Sequence, residues 1–280
     1  MVVRRLDTTD GFYVVDLEDA ARSVGVVRLA PKVLVDGAEL LARATTYSFA
    51  TFGLDAGGVS AGINAKPEGR DDAVTAFCEA VAPLVGEGRL HFSPGLGVTA
   101  DELAPLGCDP LDLGLTARGA VAAAAAFGGG GDAVVVGDPS WQDRVAPWWT
   151  DAGGATASEG PLDADVPVLF VAGRAGIIDD ANASTIRAKL VVPLTPVPVT
   201  AKGYAVLSRA GVVFVPDAVA CAAPLLAVAD PDGEDPVNRV SAIAGTIAHR
   251  GVDAWRAMVE RAEEHLASWR PSLPFGRPLA

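Results

Sequence analysis

The side chains able to move protons, grip anions or attack a carbonyl are few in this chain, and they are scattered. There are four lysines, Lys32, Lys66, Lys189 and Lys202. Lys66 alone stands just after a glycine-rich stretch, where a buried amine could be tuned to act as a base. Beside Pro67 and Glu68, a solvated ammonium is the other reading of it. The three histidines (His91, His249, His265) and three cysteines (Cys78, Cys108, Cys221) share no metal-ligand spacing, and no disulfide frame is expected from an odd, dispersed set. His91 is the histidine near the turn Ser93–Gly97, which makes it an acid/base candidate against simple partial burial. Arg118 could hold a carboxylate with its forked guanidinium, or form an ion pair within the frame. Arg174, just past an apolar run, is placed to hold a phosphate or another anion. Thr116 is either a ligand contact at a cleft or the N-cap of a helix.

The elements that must carry these residues alternate between strand and helix, the pattern of an α/β fold with a largely parallel sheet. A short β-branched strand is expected at 26–29 and a helix at 36–48, with Asp36 as its N-cap. A second helix spans 70–85, with Val74, Phe77, Cys78 and Val81 inward. A short helix follows at 101–106. Near Leu115 the character changes, and an alanine-rich helix runs to the glycines at 128–131. Four apolar runs, 132–137, 167–172, 189–194 and 212–215, read as buried parallel strands. Helices at 141–152, 182–187 and 200–210 separate them, so the unit is doubly wound. Residues 231–236 form a linker, and 240–268 read as one amphipathic helical segment. Trp141, Trp148 and Trp149 are expected to pack the helix at 141–152.

Half of the 280 residues are hydrophobic and the net charge is −13. With a mean hydropathy of +0.31, a packed core is expected rather than a disordered acidic chain. The acidic balance argues against nucleic acid as a partner, since phosphate contacts need clustered lysine and arginine. No apolar run is long enough to span a bilayer, and the first residues lack a secretory pattern, so no membrane association and a cytoplasmic location are expected.

Several segments, in order, resemble the Glu/Leu/Phe/Val (amino-acid) dehydrogenases in shortened and divergent form. They are GVVRLAP (25–31), LARATTYSFATFGLDAGGVSAGI (41–63), SPGLGVTADELAPL (93–106), TARG (116–119), DDANASTIRAKLVVPL (179–194) and AGVVFVPDAVACA (210–222). The resemblance implies two domains around a cleft: an N-terminal α/β substrate-type domain (1–115) and a Rossmann-like domain (116–232). A C-terminal helical segment (233–280) would pack back on the first. It implies NAD or NADP as cofactor, a homo-oligomer or a hetero-oligomer with an active homologue, and pocket-facing positions for Arg28 and Arg118.

The same resemblance puts the family's two lysines on Ser48 and Ser60 and its aspartate on Gly95. None of these can supply an amine or a carboxylate, so no catalytic residue is intact. In the cofactor loop, Gly137 keeps the first glycine of the dinucleotide fingerprint. The next two fall on Pro139, which has no N–H, and Gln142, and Asp138 puts a negative charge where phosphates would lie. No cofactor is therefore assigned. The expected function is a non-catalytic, ligand-binding or regulatory homologue, with a small molecule as its ligand. The alternatives are an oxidoreductase with altered residues, and an enzyme of another kind using Ser60, His91 or Lys66.

Overall fold

Two five-stranded sheets organise the chain in its computed structural model, which describes residues 1–274 and 276–280. The first sheet is mixed. Its strands are β1 (Val2–Arg5), β2 (Gly11–Val15), β3 (Ser23–Ala30), β4 (Gly57–Asn64) and β5 (Leu90–Pro94), in spatial order β1-β2-β4-β3-β5. β3 runs parallel to β4 and β5, whereas β2 is antiparallel to β1 and β4. Helices α1 (Val35–Thr51) and α2 (Arg70–Gly86) cover its opposite faces, and a short α3 (Ala100–Leu103) follows β5. Alternation divides each strand between the two helices. Val59, Ala61 and Ile63 pack toward Phe77 and Val81 of α2, which leaves Gly58, Ser60 and Gly62 on the α1 side.

Helix α4 (Leu113–Ala126) leads into the second sheet. That sheet contains β6 (Gly131–Val136), β7 (Gly154–Glu159), β8 (Val168–Val171), β9 (Leu190–Pro193) and β10 (Val213–Phe214), joined by α5 (Ser140–Asp151) after β6 and α6 (Ala201–Arg209) after β9. All its pairings are parallel, in the order β7-β6-β8-β9-β10. The order reverses between β6 and β8, and doubly wound sheets bind ligands outside the carboxyl ends of their strands at such a reversal. Trp149 of α5 is wholly buried, lies edge-on to Phe170 at 5.3 Å and donates its indole N–H to Gly131 O at 3.0 Å.

Short helices α7 (Asp217–Ala220) and α8 (Ala223–Ala229), then α9 (Pro236–Ala248) and α10 (Ala254–Trp269), complete the chain. They join the two sheets through α1. Val24 and Phe49 share an apolar cluster with Leu225 of α8. Arg261 of α10 donates to Thr51 O at 2.7 Å, and the Tyr47 hydroxyl bonds Glu263 at 3.2 Å. On α1, Arg43 forms a buried ion pair with Asp16 at 2.7 Å.

Several local expectations change. Leu34, not Asp36, occupies the N-cap of α1, in extended backbone and without a side-chain cap; Asp36 falls in the first turn, where its charge still suits the helix dipole. The helix expected at 182–187 is only a 3-10 turn, Ala183–Thr185. Asp179 accepts from the N–H groups of Ala181 and Asn182 while Asn182 accepts from Asp179 N, a local network that competes with helix extension. The segment at 240–268 is two helices, broken where Gly251 takes a φ of +54°. The strands β1, β2, β4, β5 and β7 are additional to the expected set; β4 (GGVSAGIN) is too rich in glycine to stand out by propensity.

Gly58 fixes how α1 lies on the sheet. Its N–H donates to Thr46 Oγ1 at 2.9 Å, and an added Cβ would fall 1.8 Å from Ala42 O. Gly58→Ala should therefore force α1 away from β4 and destabilise the fold by about 3 kcal/mol, the upper range of overpacking. A urea midpoint unchanged from the parent would contradict this placement.

Candidate functional site

The three positions matched to the family's catalytic side chains lie where the first sheet meets α1. Ser48 is buried in α1, and its hydroxyl donates to Ala44 O at 3.2 Å, one turn back along the same helix. Ser60 is wholly buried in β4, and its Oγ has no partner among the described residues. Gly95 follows β5, with its N–H bonded to Val27 O at 2.8 Å. A Cβ at Gly95 would lie 2.7 Å from that same carbonyl and 3.2 Å from Arg28 Cγ. No acidic side chain fits there unless the backbone of β3 or β5 shifts.

Arg28 stands next to this position. It is level with Gly62 on β4, its stem runs past Gly95, and its guanidinium approaches Gly37 in the first turn of α1. Nε and Nη2 are shielded from solvent and have no partner among the described residues. Burial lowers its pKa, although a guanidinium remains charged at any working pH.

The remaining candidates do not converge. His91 is buried in β5 with Nε2 2.9 Å from Asp109 O, and Ser93 Oγ accepts from Leu111 N at 2.8 Å. Both tie down the segment leading into α4. Burial, the largest influence on His91, pushes its pKa down despite the bond to Asp109, so the ring is neutral at pH 7. Thr116 is not the cap of α4: Asp112 is, accepting from Gly114 N and Leu115 N, and the Thr116 hydroxyl donates to Asp112 O. Arg118 lies over the ring of Trp148 at 4.8 Å, so its charge is engaged by an aromatic face on α5 rather than by a carboxylate. Lys66 is exposed at the turn after β4, the solvated arrangement. Arg174 is exposed beyond β8 and makes only a long contact, 3.5 Å, to Ala175 O.

At the reversal of the second sheet, Gly137 has a φ of +127°, and a Cβ there would lie 2.6 Å from Ala172 O. Close approach of β6 to β8 is thus enough to require glycine. Asp138 accepts from Ser140 N at 2.9 Å, so its own carboxylate sits at the start of α5, where a phosphate would bind. Hydrogen bonds from the Ser140 side chain and backbone hold it below the usual carboxylate range. Pro139 offers no N–H, and Gln142 turns to Ala157 O at 3.4 Å. Trp141 is buried in the core. These residues do not fit the pyrophosphate of a dinucleotide. A cavity of about 550 Å³ lies elsewhere, between α1 and the C-terminal segment, lined by Asp16, Arg43, Arg270 and Arg277. Among the described residues no group of three or more His, Cys, Asp or Glu side chains is arranged to hold a metal, and no helix is long and apolar enough to cross a membrane.

Two buried acids, Asp16 and Asp217, carried no assigned role in the sequence. Asp217, in the segment VPDAVACA, is wholly enclosed and accepts from Val197 N at 2.7 Å. It secures the loop after β9, where Val197 adopts a φ of +54°, unusual for a β-branched residue. The only sequence signal was a Pro-Asp pair, which is common in loops. Burial pushes the Asp217 carboxyl up to about 6, against backbone hydrogen bonds from Val197, Asp217 and Ala218. It also helps burial raise the thiol of Cys221.

No protein-family profile matches the sequence, and no curated protein does. Solved structures do. The hetero-hexameric glutamate dehydrogenase from Thermus thermophilus, in a Leu-bound form, superposes with a TM-score of 0.74 over 94% of this chain and 86% of its own, at 21% identity. The L-tryptophan dehydrogenase from Nostoc punctiforme gives 0.70 over 95% and 96%, at 19% identity. A further glutamate dehydrogenase gives 0.74 over 97% and 86%, at 16% identity. The fold is that of the amino-acid dehydrogenases: two α/β domains around a cleft, the second Rossmann-like.

Asp217 supplies a measurable pH dependence. Its folded-state pKa lies above the ordinary 3.8, so its contribution to stability is fully present below that value and is lost as pH rises through about 6. At roughly 1.36 kcal/mol per pKa unit, the loss between pH 4 and pH 7 is about 2 kcal/mol. Urea denaturation of Asp217→Asn against the parent should show the stability difference moving in favour of asparagine by about that amount across the interval. A difference independent of pH would contradict the buried-acid assignment.

Proposed function

We propose that this chain is a divergent member of the Glu/Leu/Phe/Val dehydrogenase family that has given up oxidative deamination and serves as a ligand-binding or regulatory homologue. The observation that carries the reading is Gly95. A Cβ at Gly95, where the resemblance puts the acid, would lie 2.7 Å from the carbonyl of Val27, so a side chain there requires the backbone to shift. Beside it, Ser48 is bonded within its own helix and Ser60 has neither charge nor base. Amino-acid oxidation needs an amine to manage the proton and water at the α-carbon. No such group stands on this face.

The cofactor loop supports the same reading, because Asp138 already supplies the negative charge that the start of α5 attracts. In this reading 1–115 form the ligand-side domain, 116–232 retain the Rossmann-like frame, and 233–280 brace the two through α1. The hetero-hexameric assembly of the Thermus thermophilus neighbour favours a subunit of a homo-oligomer, or of a hetero-oligomer with an active homologue. An oxidoreductase with altered residues rests on the fold alone. A different reaction through Ser60, His91 or Lys66 is disfavoured, since His91 is held by Asp109 and Lys66 faces solvent.

The test is calorimetric titration of the purified chain with NAD, NADH, NADP and NADPH, alongside assays of amino-acid oxidation. Neither binding nor turnover is expected. The double variant Ser48→Lys, Ser60→Lys should remain inactive, because the acid cannot be restored without distorting β3 and β5. Turnover of any amino acid by the unaltered chain would overturn the reading.

A further inference from the structure

Beyond α10, residues 276–280 run back across the molecule and touch three of its parts in turn. Gly276 O accepts from Arg43 Nη1 of α1 at 2.6 Å. Arg277 makes a two-pronged pair with Glu263 of α10, through Nε at 2.8 Å and Nη2 at 2.9 Å. Pro278 is buried, and Leu279 packs, partly covered, against the apolar core of the second sheet. Ala280 then donates its N–H to Val199 O and accepts from Ala201 N, both at 3.2 Å. Those are the two bonds that a parallel strand makes on either side of one residue, here Thr200.

The place where Ala280 lands is a small ladder of its own. Thr200 N donates to Ile178 O at 2.9 Å, and Ile178 pairs with Val199 in a parallel bridge. Gly176 is buried there, although residues 173–175 are exposed. Among the described residues, a Cβ on Gly176 would meet Thr200 Cγ2 at 3.2 Å and Ala280 Cβ at 3.3 Å and nothing else within contact distance. These loops follow the carboxyl ends of β8 and β9, the side on which doubly wound sheets take ligands. The chain's own residues 276–280 cover part of that crevice.

The hold is light. Gly276, Arg277 and Ala280 are exposed, and Pro278 is the one buried residue of the five. Both strand bonds lie at the long end of the normal range. The Arg277 side chain is 52% exposed, so salt screens its pair with Glu263. A segment with few buried contacts and solvent-facing backbone bonds opens before the rest of a fold.

We propose that residues 276–280 are a strap over the crevice between the loops after β8 and β9, latched by the Arg277–Glu263 pair and released as salt screens that pair. The strap governs access to the crevice and not what enters it, so it goes beyond the ligand-binding reading and stands without it. Glu263 also accepts from the Tyr47 hydroxyl, so the latch is altered at Arg277.

The test follows the Ala201 amide of the full chain by NMR hydrogen exchange, with a soluble gadolinium chelate reporting the exposure of Gly176. In the parent, Ala201 should be protected at low salt and exchange faster as salt rises from about 0.05 to about 1 M. Arg277→Met should exchange about threefold faster at low salt and lose the salt dependence, whereas Arg277→Lys should keep it. Leu279→Asp, which sets a charge against the core, should speed exchange about tenfold and let the chelate reach Gly176. The Trp149 indole N–H, bonded to Gly131 O inside the second domain, should be unchanged in every variant. Faster exchange at Trp149 as well would make the segment a structural part of that domain and overturn the strap. An Ala201 rate indifferent to salt and to Arg277→Met would overturn the latch. If Ala201 were released while Gly176 stayed shielded, something else would cover the crevice and the inference would fall.

Discussion

The backbone contact between α1 and β4 sets the rest of the structure. With glycine at 58, the carbonyl of Ala42 comes down onto the strand, and Thr46 closes the gap with a hydrogen bond to Gly58 N. That contact fixes the height of α1 above the sheet. Height in turn decides what α1 can meet on its other side, where Tyr47 and Thr51 bond α10 and Phe49 joins Leu225. One helix is therefore shared between two sheets, and the cleft between them depends on its position. Interiors packed at crystal-like density transmit such a constraint instead of absorbing it.

The same close packing accounts for the chemistry. After β5 the chain turns in at Gly95, where an added Cβ would lie 2.7 Å from Val27 O. The second sheet shows a parallel case, since Asp138 already provides the anion that the start of α5 favours. Asp16 and Asp217 complete the pattern, the first paired with Arg43 and the second securing the Val197 loop. These three acids are engaged by the protein itself, whereas Nε and Nη2 of Arg28 have no partner among the described residues.

Much of the frame was legible in order and type. The helix at 70–86 follows from the spacing of Val74, Phe77, Cys78 and Val81, all of them buried. The runs that became β6, β8, β9 and β10 follow from unbroken apolar character, since a parallel strand is covered on both faces. The glycine-rich strand β4 was not legible as a strand, because glycine has no side-chain preference to read. The turn at 183–185 was misplaced because local hydrogen bonds between Asp179 and Asn182, not periodicity, decided it.

The sequence by itself determined what each position can offer. Serine at 48 and 60 cannot act as an amine in any fold, and proline at 139 cannot donate an N–H to a phosphate. Composition and spacing also determined an α/β chain with a doubly wound half. Only the tertiary structure decided what the remaining groups do. Arg118 and Arg28 are the same residue type, yet one rests on Trp148 and the other has no partner for Nε or Nη2 among the described residues, beside three glycines. The reason is physical: a charged side chain is defined by what surrounds it, and its neighbours here come from elements far apart in the chain.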